Sequence, residues 1–272
     1  MLNNLTMGQY YPVDSPVHRL DPRTKLLLTI VYIVIVFLAS TLVGYALLFA
    51  FIWFAARQAH VPFRMLLKGL RPLRMIVILT FLLNLFFTGG DTVLLSFWVI
   101  RITREGLSQA VFYSLRLIFL VLGTSLLTLT TSPVALSDAI EILLGPLKRI
   151  HFPAHELAMM MTIALRFIPT LLEETDKIKK AQMARGADFE SGNLLTRAKA
   201  MVPLLVPLFV SAFRRAGDLA MAMESRCYHG GEGRTRLRVL RFTRADAVAA
   251  GIVGLLLVLI LLERTFLGGI LA

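Results

Sequence analysis

Two short runs set an arginine between small residues: Met183-Ala184-Arg185-Gly186 and Glu224-Ser225-Arg226-Cys227. A guanidinium gives a partner carboxylate two parallel, charge-assisted hydrogen bonds, and small neighbours let a second surface approach the backbone. The chemistry open to each run is therefore docking rather than catalysis. Taken singly, either run is explained by a cation that complements the negative carboxyl end of a helix beside a residue that stops it. Their duplication points to paired docking sites, which suit a partner present in two copies or two homologous partners.

Other constellations fall short of chemistry. Gly230-Gly231-Glu232-Gly233 leads into Arg-Thr-Arg and lacks the Lys-Ser/Thr of a phosphate-binding loop, so this chain is not expected to hydrolyse ATP. His151 and His155 are four apart with Pro153 between them, which breaks the shared helical face that zinc ligands need; ordinary cap or loop histidines are expected. Glu173, Glu174 and Asp176 are followed by Lys177, Lys179 and Lys180, the pattern of a solvated helix face. The one cysteine, Cys227, excludes an internal disulfide or a cysteine cluster. No catalytic residue, metal site or bound cofactor is expected.

The elements that carry the two arginine runs sit in a chain of unusual composition. Of 272 residues 57% are hydrophobic, above the roughly 45–50% of soluble domains, and the mean hydropathy is +0.72. The net charge of +12 gathers beside apolar runs, where cytoplasmic membrane flanks collect Lys and Arg, so it requires no nucleic-acid partner. The polar start, MLNNLTMGQYYPVDSP, lacks the features of a cleaved signal peptide, and the first apolar run is expected to persist.

No charge occurs from 26 to 56, and both flanks are basic, with Arg19, Arg23 and Lys25 before and Arg57, Arg64, Lys68, Arg71 and Arg74 after. Two short spans, about 25–41 and 43–57 with a turn near Gly44, return the chain to the cytoplasm. Asp21-Pro22 suits a helix cap and first residue, a structural role favoured over direct coupling. A third span over 75–88 follows an amphipathic approach (Phe63, Leu66, Leu67, Leu70); 92–104 forms an external hairpin and 105–130 returns inward. A fifth span, about 245–262, follows Arg234, Arg236, Arg238, Arg241 and Arg244, which act as a topology signal or bind anionic lipid.

Five crossings leave the amino terminus inside and the carboxyl terminus outside, with Arg116 the clear ionisable residue within a span. Proton- or ion-coupled carriers need more intramembrane charge than this, which disfavours a self-sufficient carrier, and a membrane-embedded enzyme lacks convergent polar residues. Between the fourth and fifth spans two long cytoplasmic helices are predicted, about 154–185 and 191–228, with a shorter one near 134–149. Leu157, Met161, Leu165, Ile168 and Leu172 mark a face of the first long helix. Leu194, Ala198, Leu205, Phe209, Ala212, Leu219 and Met223 mark one of the second. The fold class is all-α and polytopic, divided into 1–130, 131–243 and 244–272.

The run Ser15-Pro16-Val17-His18-Arg19-Leu20-Asp21-Pro22-Arg23-Thr24-Lys25, the Ala184-Arg185-Gly186 and Ser225-Arg226-Cys227 helix ends and the span layout together resemble the T component of energy-coupling factor transporters, the family that includes the CbiQ-like subunits. The resemblance covers essentially the whole chain. It implies a scaffold bound to two cytoplasmic ATP-binding cassette subunits, which hold the ATP and magnesium, and to one small membrane protein that captures a vitamin or metal. It also implies that Arg185 and Arg226 each dock into a groove of one ATPase. Ser225 and Cys227 depart from the Ala-Arg-Gly pattern; both stay small, but Cys227 is expected to forgo the left-handed helix end that Gly takes. Faces at Met159, Met160 and Met161, and at Leu204, Leu205, Leu208 and Phe209, would rest on the substrate-capturing subunit or pack on each other.

Overall fold

The computed structural model describes residues 10–90, 92–97, 100–146, 152–189, 193–230 and 240–266. The basic run 234–238 and His151 lie outside the described residues. Asp21 caps helix α1 (Pro22–Leu38): its carboxylate accepts from the Arg23 N–H at 2.9 Å, and Pro22 sits where no N–H is needed. Thr41 caps α2 (Leu42–Gln58), its hydroxyl accepting from the Gly44 N–H at 3.3 Å. The turn therefore falls at residues 39–41, ahead of Gly44. That glycine has another use, because a Cβ there would lie 2.7 Å from Oε2 of Glu263.

Helices α3 (Phe63–Leu70) and α4 (Arg74–Phe87) meet at a 63° bend, with Pro72 in the break. Strands β1 (Val93–Phe97) and β2 (Ile100–Thr103) pair antiparallel in the expected hairpin, from Val93 opposite Thr103 to Phe97 opposite Ile100. Thr103 then caps α5 (Arg104–Thr130), and α6 (Pro133–Leu143), α7 (Ala154–Ala184), α8 (Leu194–Glu224) and α9 (Arg244–Phe266) complete the chain.

The described residues divide into two compact units. One comprises Gly8–Ala139 and Val239–Ala272. In it α5 packs against α1, α2, α3 and α4, and α9 packs against α1 and α2. Ile35, Leu48, Ile52, Leu66 and Ile260 are fully enclosed. Between helices in lipid, apolar packing gains little from water exclusion, so close fit and polar clamps carry more of the specificity.

The main clamp is the N-terminal run. The Asp21 N–H donates to Oδ1 of Asp246 at 2.8 Å, while the Thr243 N–H and hydroxyl each donate to Oδ2 at 2.7 Å. Arg23 chelates Asp21, donates to the Leu240 carbonyl at 3.2 Å and lies 4.2 Å from the centre of the Phe242 ring. Lys25 Nζ donates to the carbonyls of His18 at 3.1 Å and Thr130 at 2.8 Å. The starts of α1 and α9 and the end of α5 are thus joined at one place.

By length and composition α5, α7, α8 and α9 can cross a membrane, and the bent pair α3 and α4 makes a fifth candidate. The molecule is an all-α polytopic membrane protein, with one short hairpin among the described residues. The individual spans differ from expectation. At 17 residues each, α1 and α2 reach about 26 Å, short of a hydrocarbon core of about 30 Å, whereas α7 and α8, expected as cytoplasmic, pass the same test. Arg116 is also not the lone ionisable residue in a span: α9 carries Asp246 and Glu263, both buried. The apolar run of α9 masks them, Asp246 because it folds back as a cap and Glu263 because it sits in the last turn.

Candidate docking site

The other unit, Ile140–Arg238, carries both arginine runs. At the end of α7 the Gly186 N–H donates to the Met183 carbonyl and the Ala187 N–H to that of Gln182, each at 3.0 Å. At the end of α8 the Cys227 N–H donates to the Glu224 carbonyl at 2.8 Å and the Tyr228 N–H to that of Met223 at 3.0 Å. Each is the paired closure of a Schellman motif, with Gly186 (φ 87°) and Cys227 (φ 56°) as the left-handed residue. Arg185 and Arg226 therefore occupy the same position in two equivalent helix ends. Cys227 adopts the left-handed conformation it was expected to forgo; the two closing bonds offset a cost of about 1–2 kcal/mol for a residue with a Cβ.

Ala184, Arg185, Gly186, Ser225, Arg226 and Cys227 are all exposed. Among the described residues neither guanidinium has an ion pair or hydrogen bond, so both are presented to solvent or to a partner.

Helices α7 and α8 run antiparallel. His155, at the start of α7, meets Tyr228, just beyond α8, whereas Glu174, late in α7, pairs with Arg215 at 2.8 Å, earlier in α8. Arg226 thus stands by the amino end of α7, and Arg185 closes the other end of a helix about 46 Å long. Between them, Ile163, Phe167 and Leu171 face Ala212, Ala216 and Leu219 across a groove of about 300 Å3. From α7 the groove is lined by Ile163, Phe167 and Leu171, none of which belongs to the Leu157 to Leu172 face read from periodicity. Both sides of α7 are apolar at helical spacing, so the pattern alone does not choose between them. Glu174 likewise departs from the solvated-face reading by pairing across the helices.

The Arg226 end is tethered by side chains the sequence did not flag. His155 Nδ1–H donates to Oε1 of Glu141 on α6 at 2.9 Å, and the Tyr228 hydroxyl donates to His155 Nε2 at 3.3 Å. His155 was expected to be an ordinary cap or loop residue; instead it bridges three elements. Residues 14 and 73 positions away leave no local pattern, and the one available signal was an aromatic residue directly after the second motif. No group of three His, Cys, Asp or Glu side chains able to hold a metal occurs among the described residues.

The proposed contact faces divide. Met160 and Met161 are exposed and Met159 half-buried; Leu205 and Phe209 are exposed, while Leu204 and Leu208 are half-buried. Leu205 and Phe209 belong to a continuous exposed stripe with Met201, Val202, Val206, Val210 and Phe213.

A family model described as cobalt transport protein, CbiQ, matches residues 14–237. The energy-coupling factor transporter transmembrane protein EcfT of Thermosediminibacter oceani is 57% identical over 263 residues, covering 97% of this chain and 99% of that protein. Proteins of the same name from Clostridium kluyveri and Bacillus subtilis are 52% and 53% identical, covering 98% and 90% of this chain and 100% and 93% of their own lengths.

Proposed function

The chain belongs to the CbiQ family of cobalt transport proteins, and from that premise we propose that it is the membrane coupling subunit of an energy-coupling factor transporter driven by ATP. The observation that carries the reading is the equivalence of Arg185 and Arg226: two exposed guanidiniums at matched Schellman ends of an antiparallel helix pair. Two separate ATP-binding cassette subunits, holding the ATP and magnesium, would each receive one arginine through carboxylate contacts. When ATP draws those subunits together, α7 and α8 act as levers. Their exposed apolar stripe, Met201 to Phe213 with Met160 and Met161, would rest on one small membrane subunit that captures a vitamin or metal ion. On this reading α7 and α8 lie on the cytoplasmic side with their apolar stretches against membrane or partner, the amino terminus is cytoplasmic and the carboxyl terminus external.

Detergent extraction of the tagged chain from its native membrane tests the assignment. Two nucleotide-binding proteins, a small hydrophobic protein and ATPase activity in the eluate are the expected result. A chain that purifies alone and without ATPase activity would reject it.

A further inference from the structure

We propose that the bundle of α1, α2, α5 and α9 holds one acyl chain of a membrane phospholipid in a resident site. The inference rests on the membrane placement of these helices and is independent of the coupling role. A cavity of about 460 Å3 lies among them, walled by Leu28, Phe51, Ile52, Leu126, Val248 and Val253. That size falls within the roughly 300–1,000 Å3 of ligand pockets.

The polar side chains in the wall decide the ligand class. Lys25 Nζ is spent on the carbonyls of His18 and Thr130, and the Thr29 hydroxyl donates to the Lys25 carbonyl at 2.8 Å. The Tyr32 hydroxyl donates to the Phe119 carbonyl at 3.0 Å and that of Thr130 to the Leu126 carbonyl at 2.8 Å. Each buried polar side chain in the wall is thus engaged by backbone, one N–H of the Lys25 ammonium being left over, and Gln58 stands at the exposed end of α2. A polar vitamin would surrender its water here for at most one replacement bond, and a metal ion would meet the like charge of the Lys25 ammonium. An apolar chain gives up no hydrogen bonds, and it restores the dispersion contacts that an empty space denies its lining.

The cavity also has a mouth and a rim suited to a phospholipid. At one end of the bundle α2 and α9 approach closely, at Gly44 and Glu263. Toward the other end the cavity is lined by Phe54 and Val248, which are 43% and 61% exposed and so reach the outer surface. Arg57 and Arg244, both exposed, adjoin the lining residues Gln58 and Ala245 in sequence, where a headgroup phosphate would find its cations.

Photolabelling of the full chain in bilayers of phosphatidylglycerol carrying a mid-chain diazirine tests the site, with adducts mapped by peptide mass spectrometry. Tyr32, Ile52 and Val253 are at most 5% exposed, whereas Leu27, Ile30 and Val34 face outward. Adducts on both groups are expected, and Ala249→Trp, which fills the cavity, should remove at least nine-tenths of the first group's labelling and leave the second. Adducts confined to the outward residues, interior adducts unchanged in Ala249→Trp, or no adducts at all would overturn the proposal. If Ala249→Trp does not fold, the count of phospholipid retained by the wild-type chain after detergent washing decides. About one molecule that falls by half or more in Arg57→Ala/Arg244→Ala supports the site, and none retained rejects it.

Discussion

Gly186 and Cys227 are the same residue in structural terms: each is the left-handed position, at φ 87° and 56°, of a helix end closed by the same two backbone bonds. One pays no steric cost for that conformation and the other does. Cys227→Gly should therefore raise stability by about 0.5–1 kcal/mol, and Gly186→Ala should lower it by about 1–2 kcal/mol. Thermal unfolding of the detergent-solubilised variants checks both signs.

His155 ties the Arg226 end to α6 and the start of α7 through Glu141 and Tyr228. His155→Ala should weaken ATPase association about tenfold by releasing that end, as expected for loss of hydrogen bonds to a charged group. The loss should be much smaller in an Arg226→Ala background and persist in an Arg185→Ala background. A double-mutant cycle on association constants reads the difference.

Asp246 accepts from two backbone N–H groups and one hydroxyl at the meeting point of α1 and α9. Asp246→Ala would leave the buried Asp21 N–H unpaired, at about 1–3 kcal/mol, and take one acceptor from the half-buried Thr243 donors, so a loss of at least about 1–3 kcal/mol is expected. Asp246→Asn, which keeps one oxygen, should lose less. Chemical denaturation in mild detergent ranks the three proteins.

The surroundings of His18 favour its neutral form. Its Nε2–H donates to the Tyr11 carbonyl at 2.9 Å and Nδ1 lies 2.7 Å from the Ser15 hydroxyl. Burial, assisted by the nearby Lys25 charge, lowers its pKa below the ordinary 6.5, against the opposing pull of the Tyr11 carbonyl. A base depressed in the fold contributes stability that is complete above the unfolded value and is lost as pH falls through the folded one. Amide exchange over residues 15–20, corrected for intrinsic rate, should be faster at about pH 5.5 than at about pH 7.5, on either side of the ordinary imidazole value. His18→Gln should abolish the difference.

Periodicity, caps and charge placed the helices well. Asp21-Pro22, Ser132-Pro133 and the glycine after Arg185 are local signals, and each marks an element boundary in the structure. The hairpin between α4 and α5 was legible for the same reason. What the sequence could not show depends on distant partners. The pairing of Asp21 with Asp246 spans 225 residues, and the relay through His155 joins three elements. The packed face of α7 was ambiguous because the helix is apolar on more than one side. Cys227 was misjudged because conformational preference is a local cost, and the closing hydrogen bonds of the helix end override it.

The coupling account stands most directly on ATPase association measured for the wild-type chain, Arg185→Ala, Arg226→Ala and the double substitution, with correct membrane insertion verified for each. Each single change should weaken association about tenfold to a hundredfold, the loss expected for one charge-assisted contact, and the double change should fall well below either. A double variant that retains its ATPases undiminished and still supports uptake would contradict the assignment of the two helix ends.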